Sequence, residues 1–161
     1  MSAAPLLPEL PDDAPAWVFV ADRPLARSEV DTLEARVARA LDGWSSHGRP
    51  VSGGYAVIYD RILVAAATLD GDISGCGIDK LTHAAEGAAI AIGFKWLTGL
   101  SMLYRNGDGE VHVATRAALR RGTVPDAQQV VWASPHNLGD LRQNGLFRSL
   151  SLLHHPVTTS A

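Results

Sequence analysis

The sequence has one cysteine, Cys76, and it lies between two glycines in Asp70-Gly71-Asp72-Ile73-Ser74-Gly75-Cys76-Gly77. An apolar run precedes this segment and a helical pattern follows it, so the spacing predicts a loop that opens into a helix. A thiol there meets exposed amide N–H groups and the positive end of the helix dipole, both of which favour the thiolate. Gly75 and Gly77 leave room for a substrate and permit positive φ, while Ser74 adds a hydroxyl. A nucleophilic cysteine needs a base. The candidates are His83, and His47 if the fold brings it near, with Asp79 to orient the imidazole. Two features oppose this chemistry. Asp70, Asp72 and Asp79 surround the thiol and their charge raises its pKa. His83 is seven residues from Cys76, beyond the first helical turn. The structural alternative is a small apolar side chain in a tight turn.

The same loop places Asp70, Asp72, Ser74 and Gly75 at the first, third, fifth and sixth positions of a calcium loop. The twelfth position, which should be a bidentate Glu, is Leu81. A polar turn therefore competes with a metal site here. Walker A, dinucleotide-binding and nucleophile-elbow patterns are missing from the sequence, and no cofactor is expected. His47, in Trp44-Ser45-Ser46-His47-Gly48, follows a helix whose terminal carbonyls it can satisfy. Helices of a two-layer sandwich can leave His47 and Cys76 at opposite ends, which weighs against a direct pair.

The elements that must position these residues follow from periodicity. Trp17 to Ala21 is rich in strand formers. Ser28 is a candidate N-cap for a helix whose apolar face is Val30, Leu33, Val37, Leu41 and Trp44. Tyr55–Tyr59 and Ile62–Ala67 read as strands joined by a turn at Asp60-Arg61. The second is apolar on both faces and therefore central. An Ala/Gly-rich helix is expected from Ile78 to Trp96, apolar nearly all round. Met102–Arg105 and Val111–Ala114 flank Asn106-Gly107-Asp108-Gly109-Glu110, a hairpin signal. A short helix at 116–121, a strand at Val130–Trp132 and a helix capped by Asn137 complete the chain. The order predicts an α+β fold: a ferredoxin-like β-α-β-β-α-β sandwich with an extra hairpin strand and a C-terminal α/β extension. One domain is expected over 16–153, with its core at 16–114 and an extension at 115–153. The proline-rich residues 1–15 read as a flexible arm, and 154–161 as a flexible tail.

Composition narrows the partners. A formal charge of −3 and scattered arginines argue against nucleic acid. No apolar run has the ~18 residues of a membrane span. A lone cysteine and the lack of a leader-like N-terminus fit a soluble cytoplasmic protein. The expected role is a small non-enzymatic interaction or regulatory domain, a subunit of a larger assembly or a self-associating chain. It would pair through the Ala/Gly-rich helix or a sheet edge. The alternative is a cysteine-dependent enzyme or redox protein.

Trp44-Ser45-Ser46-His47-Gly48 resembles a W-x-x-H-G motif, and Ser74-Gly75-Cys76-Gly77-Ile78-Asp79-Lys80 resembles S-G-C-x-I-D-K. Together with a Trp-led strand ending in Ala21-Asp22-Arg23-Pro24, they resemble a family of small uncharacterised bacterial proteins over residues 16–114. Its members often carry the label "ABC transporter ATPase". The resemblance directs attention to Cys76 and His47. It carries no ATPase activity to this chain, which has no Walker A motif.

Overall fold

The computed structural model describes residues 6–42, 45–46, 49–50, 53–68 and 75–154, with the backbone alone at 45–46, 49–50, 75–79 and 154. The elements in chain order are β1 (Ala16–Val20), α1 (Arg27–Asp42), β2 (Ser45–Ser46), β3 (Arg49–Pro50), β4 (Gly53–Ile58), β5 (Ile62–Ala67), α2 (Gly75–Ile92), β6 (Ser101–Asn106), β7 (Val111–Thr115), α3 (Arg116–Arg121), β8 (Ala127–Val131), α4 (Leu138–Asn144), β9 (Phe147–Ser149) and α5 (Ser151–His154). The fold is mixed α+β with antiparallel sheets, and the chain divides into two compact units. Unit 1 comprises residues 1–96 and 133–143; unit 2 comprises 97–132 and 144–161.

The sheet of unit 1 has the order β1-β5-β4, antiparallel throughout. Every residue of β5 is buried, as its unbroken apolar run requires of a central strand. Leu63, Ala65 and Ala67 meet the helices on one face, with Val30, Leu33, Val37 and Leu41 of α1 and Leu81, Ala85 and Ala88 of α2. The strand expected at Met102–Arg105 does not join this sheet. It pairs within unit 2, and among the described residues an isolated antiparallel bridge, Ala21 to Trp96, stands on the outer side of β1.

α1 begins one residue ahead of Ser28. The Ala26 N–H donates to Glu29 Oε1 at 2.8 Å, so Glu29 supplies half a capping box while Arg23 holds both its oxygens at 3.0 and 2.9 Å. α2 stops at Ile92, four residues short of Trp96, because Gly93 adopts φ +94° and reverses the chain. Trp96 then folds back, and its Nε1–H donates to the Ala85 carbonyl at 2.8 Å.

The Arg23 hydrogen bonds, then the bond from the Ala26 N–H, lower the Glu29 carboxyl from 4.5 to about 2. A depressed carboxylate stabilises the fold above its ordinary value and ceases to do so as pH falls through its folded value. This contribution is therefore complete above pH 4.5 and lost towards pH 2. A Glu29→Gln variant should lose less stability across that window than the parent chain, measured by urea midpoints at stepped pH. Equal acid slopes would show that Glu29 is not held by Arg23 in solution.

Residues 6–15, expected as a loose arm, form a strap on the other face of the sheet. Leu7, Leu10 and Ala14 are buried there with Ala66 and with Leu138 of α4. Prolines bar ladder and helix but not packing, and several of the strap's carbonyls find donors outside it. Arg142 Nε donates to Leu6 O at 2.9 Å, and its Nη2 donates to Leu7 O at 2.6 Å and Leu10 O at 2.7 Å. The Leu138 N–H donates to Ala14 O at 2.8 Å.

Unit 2 is a sheet of order β7-β6-β8-β9, antiparallel throughout. The predicted hairpin forms: Asn106 Oδ1 accepts the N–H groups of Asp108 and Glu110, both at 3.0 Å. Tyr104, Val130, Leu119 of α3 and Leu153 of α5 form its core. α3 covers the expected residues 116–121, and Asn137 caps α4 through Asp140 N–H at 2.9 Å. Among the described residues, no helix is long and apolar enough to cross a membrane.

Candidate interaction site

The site rests on the alternation of an antiparallel ladder. The Ala67 N–H donates to Pro15 O and the Ala21 N–H donates to Arg61 O, at 3.2 and 2.8 Å. Residues 15, 17, 19 and 21 therefore turn their backbone groups towards β5, and Ala16, Val18 and Val20 turn theirs outwards. At the next outward position, Asp22, a partner is present: its N–H donates to Lys95 O at 2.8 Å and its Oδ1 accepts from the Lys95 N–H at 3.2 Å. Nearer the start of β1 the position of a fourth strand holds an open groove of about 510 Å³. β1 forms its floor, with Thr82 of α2 on one side and Pro135 and His136 of the segment before α4 on the other.

The Val20 end of the groove is rigidly built. Arg61 is buried there, and its Nε and Nη2 donate to Ala21 O at 3.4 and 3.1 Å. Burial lowers the Arg61 pKa and Asp22 opposes the shift. Tyr59 and Asp60, both at φ +55°, form a left-handed turn closed by the Arg61 N–H to Ile58 O at 3.2 Å, and the Leu25 N–H donates to Asp60 O at 2.9 Å. α1 thus starts at this end.

The start of α2, which carries the Cys76 backbone, lies at the opposite end of the same unit. α1 finishes where Leu41 packs so close to Gly53 that a Cβ on Gly53 would stand 2.9 Å from Leu41 Cδ2. Gly53 pairs with Ala67, the last residue of β5, after which the chain leads to α2. α2 ends beside Arg23, whose Nη2 donates to Gly93 O at 3.3 Å. The two helices therefore run antiparallel, and the end of α1 and the start of α2 share one end of the layer. This corrects the expectation that they lie at opposite ends. β2, next to His47 in sequence, touches α2.

His47, Asp70, Asp72 and Ser74 lie outside the described residues, and for Gly75, Cys76, Gly77 and Asp79 the backbone alone is described, at the start of α2. His83 is exposed and stands seven residues along α2 from Cys76, about 10 Å by helical rise. No group of three or more potential metal ligands occurs among the described residues. The groove beside β1 escaped the sequence reading except as a general expectation of an exposed edge. The uncharged run Ala16-Trp17-Val18-Phe19-Val20 was its local signal, but the walls come from residues far along the chain.

No family model, curated protein or solved structure matches this chain.

Proposed function

We infer that the chain is a small interaction domain that binds through the outer edge of β1, with no chemistry of its own. The supporting observation is the outward face of Ala16 and Val18, whose backbone groups have no partner among the described residues and border a groove. Natural sheets blunt such edges with charges, prolines or bulges. β1 has none of these in its five residues. An unprotected, uncharged edge is kept for pairing. On this reading unit 1 is a ferredoxin-like layer whose fourth strand has shrunk to the Trp96 bridge, which leaves the site open.

Amide hydrogen exchange tests the reading. In the isolated chain at low concentration, the Ala16 and Val18 amides should exchange on the order of a hundredfold faster than those of Trp17 and Phe19. Equal protection would mean that the edge is already covered. Protection of Val18 that grows with concentration would assign the edge to self-association.

A second reading, a cysteine-dependent enzyme or redox protein, gains support from the helix directions. They put the end of α1 and the start of α2, where the Cys76 backbone lies, at the same end of the layer. The thiol proton would pass to His47 and the thiolate would attack, with Asp79 in support. Alkylation of Cys76 across pH decides this. Fast native reaction with an apparent pKa well below the ordinary value of about 8.5 favours the enzyme, and reaction only after unfolding removes it.

A further inference from the structure

We propose that the occupant of the β1 groove is an extended, uncharged peptide segment of another protein, added antiparallel to β1 as the missing fourth strand; this rests on the edge reading above. First, the groove runs beside the backbone of residues 15–19 and is walled by Thr82 on one side and Pro135 on the other. A single strand fits between such walls, and main-chain hydrogen bonds to Ala16 and Val18 would hold it. Second, the lining contains no aspartate, glutamate, lysine or arginine, while Trp17, Phe19 and the two prolines supply apolar surface. The complementary segment is therefore uncharged, with apolar side chains at alternate positions. Third, the register that would pair the whole of β1 with a second copy of this chain is blocked. In an antiparallel β1–β1 pair centred on Val18, the copy's Pro15 and Ala14 would face Ala21 and Asp22. Those positions are taken by Trp96 and Lys95. The copy's Ala14 could not peel away, because it is 1% exposed and its carbonyl is bound by Leu138. A peptide with an end beside Trp96 meets no such obstacle.

The test uses the full chain and a fluorescein-labelled hexapeptide amide of alternating threonine and valine, read by fluorescence anisotropy. Saturable binding is expected, and the same peptide N-methylated at alternate amides should not bind. Val18→Pro removes an outward N–H without removing a bond to β5, so it should weaken binding at least about tenfold with little change in thermal midpoint. Thr82→Tyr, which narrows the groove and leaves β1 untouched, should weaken binding too and covers the case in which the proline variant fails to fold. Equal binding by the methylated peptide, or no binding of the parent peptide, would overturn the proposal. A dimer by light scattering that Val18→Pro dissolves would replace the peptide by a second copy and leave the edge reading standing. Slow exchange of Val18 in the isolated monomer would remove both.

Discussion

Replacing Leu63 by alanine should cost unit 1 about 3 kcal/mol, the middle of the range for a fully buried leucine. Leu63 is 0% exposed at the centre of β5, paired with Phe19 on one side and Val57 on the other. Its side chain belongs to the helix-facing cluster with Leu33, Val37 and Leu81. Backbone ladders hold β5 on both sides, so the strand cannot shift to refill the space, and a cavity remains. That loss is a large share of the ~5–15 kcal/mol that keeps a domain folded. Val113→Ala is the control: Val113 is exposed, and its truncation should stay within about 0.5 kcal/mol. Denaturant midpoints followed by tryptophan fluorescence check both. A cost for Leu63→Ala near that of the control would mean that β5 is not the core strand.

The second large effect belongs to Arg142. Its guanidinium gathers three backbone carbonyls of the strap and pairs with Asp12 at 2.6 Å. Asp12 is largely exposed, so the ion pair itself contributes little. The carbonyl bonds matter more: charge-assisted bonds are worth ~1.5–3 kcal/mol each singly, and they do not add. Arg142→Ala should therefore destabilise unit 1 by about 2–3 kcal/mol, with Asp12→Asn below about 0.5. Arg142→Lys should recover only part, because an ammonium on a flexible stem does not reproduce the planar fork. Limited proteolysis separates the causes. Early cutting within residues 6–14 is expected in Arg142→Ala, and an uncut strap would show that the apolar contacts of Leu7 and Leu10 suffice to hold it.

Local pattern made much of this fold legible. The heptad-like face of α1, the unbroken apolar run of β5 and the Asn106–Glu110 turn are written in adjacent residues, and each forms where spacing requires. The misreadings lie where distant residues decide. Proline content argued for a loose arm, but Arg142 and Leu138, more than a hundred residues on, supply its donors and its apolar cover. The pairing of Met102–Arg105 followed a counting of elements. After Gly93 the chain meets the end of β1 at Lys95 and Trp96, and Met102–Arg105 pairs instead with β7 and β8 inside unit 2. The groove beside β1 was legible in half. An uncharged strand can be read from sequence, but the open groove that the described residues leave beside its first half cannot. The Cys76 chemistry was suggested by residue types, and the antiparallel helices add only that the end of α1 and the start of α2 lie at the same end of the layer.

The discontinuity of unit 1 has a consequence for the order in which the protein can acquire its structure. Residues 133–143 include Leu138 and Arg142, which complete the strap face of the first sheet. On the ribosome they emerge only after residues 97–132. During that interval β1, α1, β4, β5 and α2 can assemble, because their contacts are already present, but Ala66 and the strap lack the cover that α4 brings. The nascent chain therefore carries an apolar sheet face that stays unsealed until most of unit 2 has been made. Slow or paused synthesis between residues 97 and 132 would prolong the exposure, and that is the stage at which a chaperone has most to protect.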